Sequence, residues 1–272
     1  MTCRGLAACG YWAGKKREGR VANRMFVHCV TVGLALWGAV PARAQWAAPQ
    51  PVAARLDALF AAQNWNALGY VLGHPGSQQN VGPTMAWLKA RIDGGGPYFF
   101  AMAYARNLTM AADQAANTPA GIRWREAAAF YTLYQYALIA VDGTRCHDPT
   151  APSHRVEQLI QYGRSNLQFV ATLPESARAG LVDRAVALEQ KTAPLRGDDE
   201  VLCSGGMEQM QAGLDGGTQH AMPTPPRGYG KTVGVEPPPG WKPAFLPPQA
   251  YAPAQAKMRA GLRAHLLQFA KL

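Results

Sequence analysis

Thirteen consecutive positions, Asp142 to His154 (DGTRCHDPTAPSH), hold a cysteine, two histidines and two aspartates in a chain otherwise short of reactive side chains. Three chemistries suit that set: a metal site, a thiol nucleophile, or one half of a disulfide. For a metal, the histidines His147, His154 and His220 with the methionines Met207, Met210 and Met222 supply the imidazole and thioether ligands that suit copper. The stretch MEQMQ, however, spaces its methionines three apart on a helix, a pattern that core packing also produces. His154 and Glu157 also lie three apart, but in the reverse of the Glu-x-x-His order used by carboxylate-bridged metal sites in bundles, and only once. A first-turn Glu favoured by the helix dipole is therefore the better account of that pair.

The choice between nucleophile and disulfide turns on the compartment. Residues 1–24 carry Arg4, Lys15, Lys16, Arg17, Arg20 and Arg24 against the single acid Glu18, an apolar run extends from Met25 to Val40, and ARA closes at Ala44. A basic segment, a short apolar core and an A-x-A site in that order describe a secretory signal peptide cleaved between Ala44 and Gln45. The run of 16 residues is shorter than the roughly 20 a membrane-spanning helix needs. Met25 is an alternative start, with residues 1–24 an over-extended reading frame. LAAC at Leu6–Cys9 imitates a lipoprotein site but has no apolar core before it.

Removing residues 1–44 lowers the 27 basic and 17 acidic side chains to 20 and 16, so the net charge falls from +10 to +4 and nucleic-acid binding loses its main support. The same cut leaves Cys146 and Cys203 as the only cysteines, and a single pair in an oxidising compartment favours a disulfide over a reactive thiol. Such a bond closes a loop worth about 3–4 kcal/mol in chain entropy. Asp142-Gly143 and Asp148-Pro149 then read as turns whose aspartates bond backbone amides, and the whole stretch as a stapled elbow between helices.

The elements that position these residues are helices. AARLDALFAAQNWNALGYVL spaces Leu56, Leu59, Phe60, Trp65, Leu68 and Leu72 for one long helix, and a shorter one comes next over TMAWLKARID. Pro97 opens a third. A fourth, AGIRWREAAAFYTLYQYALIAV, is apolar nearly all round, which predicts a central position. Ser153 is the expected N-cap of HRVEQLIQYGRSNLQFVATL, Thr172 and Glu175 have capping-box spacing for the next helix, and a further helix runs from Asp199 to Leu214 across Gly205 and Gly206.

The domain reading is a helical domain over 45–215, a Pro/Gly-rich strap over 216–253, and a C-terminal amphipathic helix over 254–272. Tyr229, Trp241, Phe245, Leu246 and Tyr251 favour a strap laid on the helices over a disordered linker. The fold class is all-α, with stacked helical hairpins forming a bundle or short irregular solenoid. WNALGYVL matches the opening of a tetratricopeptide unit, but Leu72 stands where its tyrosine belongs and breakers come after it, so the match carries nothing.

Known catalytic motifs are scarce. RGYGKT at Arg227–Thr232 lacks the earlier glycine of a phosphate loop, because Pro225 stands there. After residue 44 there is no G-x-S-x-G, H-E-x-x-H or C-x-x-C. Ser204, beside Cys203 and before two glycines, is the serine to check. The leading expectation is an exported, periplasmic, non-enzymatic helical protein that binds or scaffolds a protein or peptide partner. The alternatives are a cell-envelope enzyme with Glu126, Asp142 or Asp148 at a cleft, a periplasmic copper-binding protein, and a peripheral membrane protein that inserts Leu262, Leu266 and Phe269. A salt-bridged surface is the competing reading of Glu126, and docking on the core that of the C-terminal helix.

Overall fold

The computed structural model describes residues 51–74, 76–222 and 232–271. The leader with its cleavage site at Ala44–Gln45, Tyr229 and most of RGYGKT lie outside the described residues. The protein is all-α: the described residues form eleven α-helices and one small two-stranded sheet.

Chain reversals chop the expected long helices into shorter ones. Helix α1 (Val52–Ala61) and α2 (Trp65–Gly73) replace the single helix predicted there. Gln63 adopts a left-handed φ of 51° between them, and Asn64 caps α2 by accepting from the Ala67 amide at 3.1 Å. Helix α3 (Gln78–Asp93) begins earlier than the breakers suggested, with Pro83 in its second turn. Pro97 occupies the N-cap of α4 (Tyr98–Gln114) instead of its first turn.

Helix α5 (Pro119–Asp142) is the central element. Thr118 caps it, accepting from Gly121 N at 3.0 Å, and Pro119 sits at the first helical position, where its missing N–H costs nothing. Its later turns are covered by α4, α6 (Thr150–Tyr162), α7 (Arg164–Thr172), α8 (Glu175–Thr192) and α11 (Pro248–Phe269). Tyr131, Leu133, Tyr134, Leu138, Ile139 and Val141 are all buried, while Ile122 and Trp124 in the first turns are exposed.

Two capping expectations fail. The helix after the cysteine elbow starts at Thr150, before Ser153, because Asp148 reaches the free amide of Thr150 at 2.9 Å first; Ser153 lies inside α6 and donates to Pro149 O. That helix also breaks at Gly163, where a Cβ would press on Leu159 O and on the Thr132 side chain of α5. Thr172 donates to Phe169 O and forms no capping box, so α8 starts behind Pro174. Past Asp199, Gly205 with φ 86° splits the expected helix into α9 (Glu200–Cys203) and α10 (Met207–Gly216).

The strap region opens with a hairpin of β1 (Thr218–Met222) and β2 (Thr232–Glu236), antiparallel with Thr218 opposite Glu236 and Met222 opposite Thr232. It then runs along the cysteine elbow. His147 N donates to Ala244 O at 3.1 Å, Leu246 N donates to Arg145 O at 2.8 Å, and Phe245 forms an isolated β-bridge with Cys146. Helix α11 starts at Pro248, earlier than expected, and lays Leu262, Leu266 and Phe269 into the core against α5 and α8. Phe269 stacks on Tyr136 at 4.2 Å. The three side chains required for membrane insertion are therefore spent on packing.

Candidate functional site

Three features converge on the C-terminal end of α5: the cysteine elbow, a small acidic cavity and an apolar groove. At the elbow, the sulfurs of Cys146 and Cys203 stand 1.98 Å apart with their Cα atoms at 5.2 Å, disulfide distance, and both residues are buried. Asp148 organises the turn into α6. Its Oδ1 accepts from the amide and hydroxyl of Thr150 at 2.9 and 2.6 Å, and its Oδ2 accepts from Glu208 N at 2.9 Å at the start of α10. Partial burial would raise its pKa, but these bonds outweigh it and hold the carboxyl below its ordinary value. Asp148 is a clasp between α6 and α10, as its position before a turn suggested, and its oxygens are occupied.

The copper candidates are distributed around this elbow without closing on one point. His147 Nδ1 lies 2.5 Å from Glu208 Oε1. His154 Nε2 pairs with Gln158 at 2.9 Å, with Glu157 at 3.8 Å from its Nδ1. Met207 and Met210 are exposed on α10, not in the core, and His220 and Met222 are exposed on β1. Among the described residues no three His, Cys, Asp or Glu side chains form a group that could hold a metal ion. Ser204 donates to Glu200 O at 2.6 Å, closing the turn of α9.

The carboxylates divide in the same way. Glu126 pairs with Arg184 at 2.7 Å on the surface, the solvated bridge anticipated for it, though with a partner on another helix. Asp142, at the end of α5, is buried, and its partner is not a backbone amide but Arg196, whose Nε donates to Oδ2 at 2.6 Å and Nη2 to Oδ1 at 3.4 Å. Arg196 also donates to Glu189, which is 0 % exposed, and to Thr192 Oγ1 at 2.6 Å; Arg259 of α11 reaches the same Glu189 oxygen at 3.1 Å. Burial pushes the Asp142 carboxyl up despite Arg196, while the two carboxylates hold Arg196 charged against its own burial.

Asp199 completes the cavity. Its Oδ2 accepts from Tyr98 N at 2.8 Å, capping α4, and its Oδ1 accepts from Leu202 N at 3.0 Å, capping α9. The cavity between Gly95–Tyr98, Asp142 and Arg196–Asp199 measures about 50 Å³, room for a few waters and not for an organic substrate. Every carboxylate on it or beside it has structural partners. Of the acids expected at a cleft, only Asp142 lines this cavity, which lies at a joint between helices.

The larger opening, about 260 Å³, is a groove bounded by Tyr136, Ile139 and Ala140 of α5, Pro152 and Val156 of α6, and Met258 of α11. Burial pushes the Tyr136 hydroxyl above its ordinary pKa. Reading the sequence singled out the two ends of the groove, the elbow and the amphipathic helix, but missed the groove itself, which exists only where three helices fail to close. Glu189 and Arg196 were also missed; a Glu inside an apolar helical stripe was the available signal.

No protein-family model, no curated protein and no solved structure matches the chain. Among the described residues no helix is long and apolar enough to cross a membrane.

Proposed function

We propose that the chain is an exported, non-enzymatic binding protein that receives an apolar segment of a partner protein in the groove between α5, α6 and α11. The observation that carries this reading is the groove itself: an open depression of about 260 Å³ with largely aliphatic, proline and tyrosine walls, held on three packed helices. That volume admits one large or two medium apolar side chains, the scale of a peptide anchor. The carboxylates that would serve a cell-envelope enzyme are engaged as clasps and ion pairs, which leaves the groove as the better-supported use of this face. Export rests on the leader and on the single pair of later cysteines at disulfide distance.

A photoreactive phenylalanine analogue placed at Ser153, on the groove rim, tests the binding reading in the producing cell. A discrete adduct is expected, lost when Ala140→Arg fills the groove. An adduct that persists in Ala140→Arg, or that forms equally from the remote exposed position of Tyr70, overturns it. The mass of the mature chain, with Gln45 expected as its first residue, tests export.

A further inference from the structure

We propose that the cavity around Asp142, Arg196 and Asp199 is a proton-operated latch, in which Asp199 takes up one proton and gives up the Tyr98 amide, loosening the joint between α4 and α9.

The geometry sets up the imbalance. Three carboxylates, Asp142, Asp198 and Asp199, line one small cavity with one guanidinium, that of Arg196. Arg196 spends its donors on Asp142, Glu189, Thr192 Oγ1 and Glu189 O. Asp198 has Arg145 at 3.7 Å from outside the cavity. The Asp199 carboxylate is met by backbone amides from two helices, that of Tyr98, 101 residues away in sequence, and that of Leu202, three residues on. An ionised carboxylate accepts on both oxygens, whereas the acid turns one of them into a hydroxyl donor and a poor acceptor. Protonation therefore breaks one clasp, and the new O–H can point into the cavity.

Tyr98 from α4, Asp142 from α5, and Arg196 and Asp198 of its own segment line the cavity with Asp199; around them, Arg155 from α6 lies over the Tyr98 ring, Arg145 from the turn after α5 pairs with Asp198, and Glu200 pairs with Lys242 at 2.7 Å, tying α9 to the strap. Burial raises the Asp199 carboxyl, the Leu202 and Tyr98 amides lower it, Asp142 raises it again and the Val201 amide lowers it a little; the balance stands at about 6. Relief of the desolvated charge of this half-buried carboxyl thus outweighs the amide bonds that favour it, and the exchange falls in a mildly acidic range. Helix α9 does not depart, because Arg155 donates to Val201 O and Ser204 O, both at 2.8 Å, and Cys203 is tied to Cys146. Only the amide register at the joint changes.

The test is an NMR titration of the full, isotope-labelled protein from pH 4.5 to 8, reading the Asp199 carboxyl carbon and the exchange rates of the Tyr98 and Leu202 amides, the latter corrected for intrinsic pH dependence. The expected result is a carboxyl midpoint near 6 with about tenfold loss of protection at the Tyr98 amide below it, the scale of one hydrogen bond. Asp199→Ser, which keeps a capping oxygen and cannot titrate, is expected to give a flat profile at both amides. A wild-type carboxyl midpoint near 4, or protection at the Tyr98 amide that does not change across the range, overturns the latch. The wild-type titration decides even where the variant fails to fold.

Discussion

Replacing Cys146 and Cys203 together by alanine removes a cross-link between positions 57 residues apart, and the structure sets the size of the effect. In the unfolded chain that loop becomes free, which the loop-entropy relation values at about 4 kcal/mol at 25 °C. In the folded chain little changes at first. Both sulfurs are buried, so no solvent-exposed contact is lost, and the elbow keeps its other fastenings: Asp148 to Thr150 and Glu208, the strap bonds at Ala244 and Leu246, and Arg155 on α9. The expected outcome is a native helical spectrum with a stability lower by about 4 kcal/mol in urea unfolding and a melting temperature lower by roughly 10 °C for a chain of this size. Reduced wild-type protein should match the variant. A difference below about 1 kcal/mol between oxidised wild type and variant would refute the reasoning. It would mean that the pair is not formed, or that the unfolded loop is already closed by residual structure.

Other perturbations separate the remaining readings. Leu266→Ala, at a fully buried position of α11, is expected to cost about 2–5 kcal/mol in denaturant unfolding and to leave liposome flotation at background; a stable variant with altered lipid binding would restore the membrane reading. Arg196→Met leaves Asp142 and Glu189 buried without their shared guanidinium and should cost about 3–5 kcal/mol, checked by calorimetry. Stability should also pass through a maximum in mild acid. Asp199, with its folded pKa raised to about 6, makes the folded chain bind more protons than the unfolded one between pH 4 and 6, so its contribution is present at the acidic end and lost as pH rises through that window. Asp148, lowered, contributes above its unfolded value and loses that contribution as pH falls through the folded one. Asp199→Ser should flatten the neutral limb and Asp148→Ala the acidic limb, measured as unfolding midpoint against pH.

How much of the fold was legible in the sequence depended on range. The apolar run AGIRWREAAAFYTLYQYALIAV placed α5 to within a residue of its start and placed it centrally, because its all-round apolar character is a signal that acts within a few residues. The Cys146–Cys203 pairing came from counting, since of the five cysteines only these two lie outside the expected leader. Helix breaks fared worse. Gln63 looked like a helix residue, and its left-handed backbone reflects the turn needed to bring α2 across α1, not any local preference. Gly163 was readable as weak helix but not as a break, because the reason for it, the approach of α7 to Thr132, lies on another element. Ser153 lost the capping role to Asp148, whose second oxygen also serves α10; the better cap is chosen by a contact 60 residues away.

Composition and periodicity alone therefore determined that the chain is helical, that one helix is central, and that the C-terminal helix has an apolar face. All three come from local propensity and from which side chains avoid water. Only the tertiary structure decided that Asp142 turns inward to Arg196 while Glu126 stays on the surface, that Asp199 bridges two helices, that α11 spends its apolar face on the core, and that a groove stays open beside Tyr136. The physical reason is that a hydrophobic pattern specifies which face must be covered and not which element covers it. The burial, and with it the charge state, of any carboxylate is set by that partner.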